Sequence, residues 1–409
     1  ASRASPLERS SHAGSLQTPA MGGAGGWRPL GRAAPARAAC AALEPLGVFA
    51  QIERDVGRYR KLNSFQRSFY TGFCARRQRA CITLRIVEGV AYVLELFPGY
   101  QSRHRATLHA VHRALQRLGP VPDVEVVIDV TDGELQKVDL PILVITHRAS
   151  APAGILYPDF TFFSWPESAC PPGETSHAHA ALMERFARNW THRVVPWANR
   201  SELLFWRGAP VDDNGRRAVA LEYLAAAGGT DAAFVQWQGV SITGENLVPG
   251  CVGLLEHCRY RFLAFLAGTT YSSRLKYQLL CGSTVLAAVP EFVEWWTELA
   301  RPGEHYVEVA PDWHDAGQAL AALRADPARA QAVAARGQRL ALSVLTTAAV
   351  DCYWWRLLAA AAEVLPPPLP GPLPPHARPL DDVLLWPDGV GLSSKLGGPF
   401  GGPPPDLVQ

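Results

Sequence analysis

Between residues 201 and 309 the chain alternates short apolar runs with stretches at helical spacing, and this alternation limits the fold more than any other feature. Residues 203–206 read as strand, 216–226 as helix and 233–237 as strand. Then follow strand 260–265, helix 273–280, strand 284–288, helix 292–299 and strand 305–309. Strands that alternate with helices build a mostly parallel sheet with helices on both faces. Residues 314–363 are predicted almost wholly helical. Upstream, 84–87 and 91–96 flank Glu88-Gly89 as a hairpin would. Residues 105–118 place Leu108, Val111, Leu115 and Leu118 at helical spacing, and Gly119-Pro120 stops that helix. Buried strands are expected at 124–130 and 142–146. A break near Pro196 divides two α/β domains that face each other across a cleft.

Composition sets the limits of the ordered part. The 409 residues include 35 Gly and 34 Pro, concentrated in runs such as 366–368 and 403–405 that support neither helix nor central strand. The expected division is 1–55 low-complexity and poorly ordered, 56–195 a first α/β domain, and 196–345 a second. A helix over 346–365 and a disordered tail over 366–409 complete it. Hydrophobic residues at 48% and charged ones at 19% exclude a wholly disordered chain. A net charge of +2 supplies no global field for nucleic acid or anionic lipid, so an anion site must be local. No apolar run reaches the roughly 18 residues that span a bilayer. Ala1-Ser2-Arg3 lacks an apolar signal core and Asp406-Leu407-Val408-Gln409 is not a KDEL-type signal. A targeting or anchoring segment upstream is left open.

Eight cysteines (40, 74, 81, 170, 251, 258, 281 and 352) include no CxxC pair. The 74/81 and 251/258 spacings are wider than structural zinc sites favour. Two sequons, at Asn189 and Asn199, join the cysteine count in favouring an endoplasmic reticulum or Golgi lumen over the cytosol. His177 and His179 form an HxH in a small-residue loop, but neither HExxH nor a strict DxD occurs, and no metal cofactor is expected.

In open α/β sheets ligands bind beyond the carboxyl ends of strands, so polar residues just after strands carry the candidate chemistry. Asp132 follows the 124–130 strand; it is either a turn residue, Asp-Gly being a common turn dipeptide, or a general base at a cleft rim. Arg207-Gly208 ends strand 203–206, and Arg216 and Arg217 open the next helix; the group is either surface charge or a bidentate phosphate site. Gly268 through Arg274 joins strand to helix, with Ser272 and Ser273 near the expected N-cap and Arg274 and Lys276 beside it, features that favour an anion. No P-loop or dinucleotide fingerprint is present, so the site is diphosphate-like without either signature. The Trp295-Trp296 and Trp354-Trp355 pairs read as core.

Several of these stretches together resemble glycosyltransferase family 90, the group of Rumi-like protein O-glucosyltransferases and fungal capsule-associated xylosyltransferases. They are residues 156–163, Phe205-Trp206-Arg207-Gly208, residues 256–263, Ser272-Ser273-Arg274-Leu275-Lys276-Tyr277 with Cys281-Gly282-Ser283, His305-Tyr306-Val307, and Cys352-Tyr353-Trp354. The resemblance implies two Rossmann-like domains of the glycosyltransferase B type. It implies inverting transfer of xylose or glucose from a UDP-sugar to a protein serine or a glycan, without a metal ion. Asp132 matches the catalytic base, although the family pattern is Asp-x-Pro and this chain has Asp132-Gly133-Glu134. Arg274 and Ser272 match residues that hold the nucleotide diphosphate, Arg207 lies in the matching Arg-Gly turn, and either Arg216 or Arg217 matches a second diphosphate arginine. Cys258 and Cys281 match a disulfide, and Cys352 a cysteine tied to Cys74 or Cys81. The altered Asp132 neighbourhood motivates a competing expectation, a non-catalytic relative that binds glycans or a partner protein.

Overall fold

A computed structural model describes residues 33–60, 70–97, 99, 101–135, 140–165, 195–212, 215–235, 247–248 and 252–385. Cys170, Cys251, His177, His179, the Asn189 sequon and the tail beyond residue 385 lie outside the described residues.

Two six-stranded sheets organise the chain. The first contains β1 (Cys81–Val87), β2 (Val90–Leu96), β3 (Val124–Asp129), β4 (Leu143–Val144) and β6 (Ile155–Leu156), while β5 (His147–Arg148) lies outside it. β1 and β2 form the expected antiparallel hairpin. Glu88 and Gly89 take positive φ of 51° and 79°, the backbone twist that a two-residue hairpin turn requires. β3 runs antiparallel to β1 and parallel to β4, so this sheet is mixed. All six residues of β3 are buried, and Glu125 is compensated there by Arg85 directly opposite on β1.

The second sheet is the parallel one that the alternation predicts. It comprises β7 (Ser201–Gly208), β8 (Thr230–Val235), β9 (Leu247–Val248), β10 (Tyr260–Phe265), β11 (Thr284–Ala287) and β13 (Val307–Glu308). Its order is β13-β11-β10-β7-β8-β9 and every neighbouring pair is parallel. From β7 the chain winds outward through β8 to β9, and from β10 it winds the other way through β11 to β13. The carboxyl ends of β7 and β10 therefore flank a topological switch point, where the splayed connections leave a crevice.

Four expectations need correction. Residues 292–299 are not a helix: β12 (Phe292–Val293) pairs antiparallel with β5, and a single 3-10 turn, Thr297–Leu299, follows. Pairing across the domain boundary outweighs the local helical pattern, and Thr297 Oγ1 accepts the Glu294 N–H at 2.8 Å to close the turn. Residues 33–55 are not poorly ordered throughout, because helices Ala33–Ala41 and Ala50–Tyr59 form there. Part of the proline-rich tail also folds: β14 (Arg378–Pro379) extends the β2 edge and helix Leu380–Leu384 buries Leu380 and Val383. An edge strand tolerates a proline without loss of a ladder bond. Finally, Cys352 is bonded to Cys40, and Cys74 to Cys81, whereas Cys258–Cys281 is paired as the family resemblance implies.

The Cys40–Cys352 bond reflects the course of the last long helix, Thr347–Val364. Thr346 caps it by accepting the Ala349 N–H at 3.1 Å. The helix returns to the first domain, where Arg113 and Arg117 donate to its buried Asp351 at 2.7 and 2.6 Å. Trp354 packs on Tyr157 with ring centroids 5.0 Å apart. The first domain is thus assembled from both ends of the described chain. Among the described residues no helix is long and apolar enough to cross a membrane.

Candidate functional site

The crevice beyond β7 and β10 is rich in arginine. β7 ends at Arg207-Gly208, where only glycine fits: a Cβ on Gly208 would lie 2.5 Å from the Trp206 ring and 2.9 Å from the Arg274 guanidinium. Arg274 donates to the Arg207 carbonyl at 2.7 Å and lies over the Trp206 ring at 5.7 Å. Arg217, in the first turn of helix Arg216–Ala227, lies over the same ring at 5.6 Å. It donates to the carbonyls of Ala209 and Ala267 at 2.7 and 2.9 Å. Carbonyl oxygens thus orient both guanidinium groups without cancelling their charge.

The charge accounting is what distinguishes this cluster. Arg207 is neutralised by Asp231 on β8, whereas the guanidinium groups of Arg217 and Arg274 bond to carbonyl oxygens, and the Asp212 charge only partly offsets the burial of Arg217. Burial, with Arg217 adding to it, lowers Arg274 to a pKa of about 9, and burial lowers Arg217 to about 10, so both remain cationic at neutral pH. Burial and then the charges of Arg274 and Arg207 press His257 down to about 3, which leaves it neutral. Trp206 Nε1 and Arg207 Nε are buried without a hydrogen-bond partner. The buried Arg217, the half-buried Arg274 and two buried donors without a partner gather at the end of β7, an arrangement that favours an anion.

A cavity of about 310 Å³ opens beside this cluster, with Arg217, Gly268, Thr270, Ser272 and Glu294 in its wall. Arg216 is at its rim and pairs with Glu291 at 2.8 Å. The Asp212 carboxylate accepts the Arg216 and Arg217 N–H groups at 2.9 and 3.0 Å, so that helix start already has its anion. The sequence pair Arg216/Arg217 is therefore split: one faces the arginine cluster and the other an acidic partner.

The loop after β10 departs from expectation. Helix Leu275–Leu280 begins later than predicted, its N-cap is Arg274, and no serine side chain caps it. Ser273 Oγ instead donates to Asp159 at 2.9 Å, and Lys276, completely buried, pairs with Asp159 at 3.1 Å. Lys276 therefore does not reinforce an anion site; it joins this domain to the Tyr157-Pro158-Asp159 stretch of the other. Glu294 lies 3.9 Å from the same ammonium. One cation here serves two buried carboxyls, and the nearer Asp159 holds it. Burial chiefly, with Asp159 adding and Lys276 opposing, raises Glu294 to about 8, so it carries a proton at neutral pH.

Asp132 comes from the first domain, on the turn that follows β3. Its carboxylate is 55% exposed and lies 3.4 Å from Arg103, which itself lies over the Phe160 ring. Thr270 Oγ1, from the cavity wall, donates to the Asp132 carbonyl, which ties the carboxylate's turn to the loop that lines the cavity. The structure thus brings Arg207, Gly208, Arg217 and Arg274 together, lines the cavity with Ser272, and joins Asp132 to it. It removes Ser273 and Lys276 from the cavity surface and leaves Arg216 at the rim. Asp159, Thr270 and Glu294 are contributions that local sequence patterns do not reveal, since each acts through partners distant in the chain. No group of three or more His, Cys, Asp or Glu suited to a metal occurs among the described residues.

A parallel-sheet crevice lined with cations and tied through Thr270 to a turn of the first α/β domain suits a transferase with an anionic leaving group. The family model for glycosyl transferase family 90 matches residues 42–367, and the chain belongs to that family. Protein O-glucosyltransferase 1 of Rattus norvegicus is 27% identical over 278 residues, covering 65% of this chain and 68% of its own. The O-glucosyltransferase rumi of Drosophila pseudoobscura pseudoobscura is 27% identical over 271 residues, covering 62% of this chain and 64% of its own. The crystal structure of Anabaena HepE in complex with UDP-glucose aligns with a TM-score of 0.30 at 13% identity, covering 42% of this chain and 50% of that one.

Proposed function

We propose that the protein is an inverting glycosyltransferase that moves glucose or xylose from a UDP-sugar to a serine hydroxyl of a protein or to a glycan. The observation that carries this is the pair of guanidinium groups outside any side-chain ion pair, the buried Arg217 and the half-buried Arg274, on Trp206 beside a cavity whose wall is bonded to the Asp132 turn. The diphosphate sits against these two cations, with Ser272 in the same wall. As the bond to the anomeric carbon breaks, charge grows on the departing UDP and the fixed guanidinium groups stabilise it where other transferases use a metal ion. Asp132 takes the proton of the acceptor hydroxyl, which attacks from the opposite face and inverts the carbon. Its partial exposure leaves it open to an incoming acceptor. The base and the leaving-group site belong to different domains, so domain closure also limits the access of bulk water to the donor.

Residence in an endoplasmic reticulum or Golgi lumen fits the three disulfides among the described residues and the exposed Asn199 of the second sequon. Calorimetric titration with UDP, without added metal, tests the donor site. Arg217→Met and Arg274→Met should each weaken UDP binding by roughly 10–100-fold, the worth of a charge-assisted hydrogen bond. Unchanged affinity in both variants would remove the proposed diphosphate site. The ion pair of Asp132 with Arg103 favours one second reading, a binding module that keeps the fold without turnover. UDP release from UDP-glucose and UDP-xylose separates the two and identifies the sugar.

A further inference from the structure

The turn that carries Asp132 has no regular secondary structure, yet one side chain from outside it spans most of its length. Arg79 lies between the short helix Phe73–Arg77 and β1, inside the loop closed by the Cys74–Cys81 disulfide. Its N–H donates to the Cys74 carbonyl at 3.1 Å, and the preceding Gln78 takes a left-handed conformation, so the backbone is held on both sides. The guanidinium then forks across the turn. Nε pairs with Asp129 at the end of β3, Nη2 donates to Thr131 Oγ1 and to the Gly133 carbonyl, and Nη1 donates to the Glu134 carbonyl at 3.3 Å. Asp129 in turn accepts the Thr131 N–H at 2.9 Å. None of these bonds uses the Asp132 carboxylate, which meets Arg103 instead.

We propose that Arg79 is a positioning residue, a planar clamp that fixes the Asp132 turn in register with the donor cavity; this rests on Asp132 acting as the base. A glycine at position 133 leaves the turn conformationally free, and the fork replaces that freedom with fixed hydrogen bonds on both sides of Asp132. Burial raises the Asp129 carboxyl and the Arg79 cation opposes that rise, so the clamp also keeps Asp129 available as an acceptor for Thr131. From the other side, Thr270 holds the Asp132 carbonyl. The turn is thus gripped once by its own domain and once by the donor domain.

Arg79→Lys tests the clamp, because lysine preserves a positive charge for Asp129 but cannot fork. The rate is UDP release from UDP-glucose with water as the acceptor, and Asp132→Asn is measured beside it. We expect Arg79→Lys to lower kcat by about 100-fold, the cost of a misplacement near 1 Å. UDP affinity, set by the other domain, should stay within about twofold. Amide exchange at Thr131 and Gly133 should rise by about tenfold as the turn loosens. Thr131→Val, which removes one acceptor and leaves the buried Asp129 in place, should lower kcat by about tenfold. Unchanged exchange in Arg79→Lys overturns the clamp whatever the rate does. An unchanged kcat in Arg79→Lys beside a lost one in Asp132→Asn overturns its role in the reaction. An unchanged kcat in Asp132→Asn removes the base itself, with exchange still reporting on the clamp.

Discussion

Replacement of Lys276 by methionine separates a structural cation from a ligand-binding one. The ammonium and Asp159 are both completely buried and 3.1 Å apart. Without the cation, Asp159 keeps only neutral donors, from Thr161 at 2.8 Å, Ser273 at 2.9 Å and Tyr271 at 3.3 Å. Methionine fills the volume left by the lysine stem and retains contact with the Phe162 ring, so the lost term is chiefly electrostatic. Breaking a buried pair by removal of one partner costs about 3–5 kcal/mol. With a urea m-value of roughly 3 kcal/mol/M, the unfolding midpoint should fall by about 1–1.7 M. The double variant Lys276→Met/Asp159→Asn removes the stranded charge as well and should recover about 2 kcal/mol of that loss. UDP affinity of the folded Lys276→Met protein should stay within about twofold of wild type. A loss below about 1 kcal/mol, or a tenfold weaker UDP affinity at unchanged stability, would refute this reasoning and return Lys276 to the anion site.

Gly208→Ala places a methyl group 2.5 Å from the Trp206 ring and 2.9 Å from the Arg274 guanidinium. It should displace that guanidinium and weaken UDP binding by about tenfold or more by calorimetry. Glu294, raised to about 8 chiefly by burial, holds a proton in the folded state that the unfolded chain releases near the ordinary 4.5. Its contribution is complete below about 4.5 and is lost as pH rises to about 8, so Glu294→Gln should flatten the decline of the urea midpoint between those values. Non-reducing peptide mapping should give Cys40 linked to Cys352 and Cys74 to Cys81. Removal of the 40–352 bond, which spans 312 residues, should cost up to about 6 kcal/mol in the chain-entropy estimate.

The parallel sheet was legible because its strands are apolar runs bounded by Gly-rich turns, and the 84–96 hairpin because Glu88-Gly89 is a local signal. Arg207 was legible as a strand-end cation and Arg274 as a cation of a strand–helix loop, both also through family resemblance, while Arg217 was legible only as one of the pair Arg216/Arg217, between which the sequence did not choose. Lys276 and Ser273 were not, since the acid that claims them, Asp159, lies more than a hundred residues away and adjoins them only in the fold. The same limit explains residues 292–299, where pairing with β5 overrides a helical pattern. Cys40 looks idle in an Ala-rich segment until helix Thr347–Val364 returns to the first domain. Proline content marked the tail as unstructured, although the β2 edge accepts Arg378–Pro379 as a short strand.

The most direct test of the account is the rate of UDP release from UDP-glucose by Asp132→Asn, at saturating donor and with UDP affinity matched to wild type. Loss of a general base predicts a fall of about 100- to 10,000-fold with binding intact. A release rate equal to wild type would contradict the division of labour proposed between the Asp132 turn and the arginine cluster on Trp206.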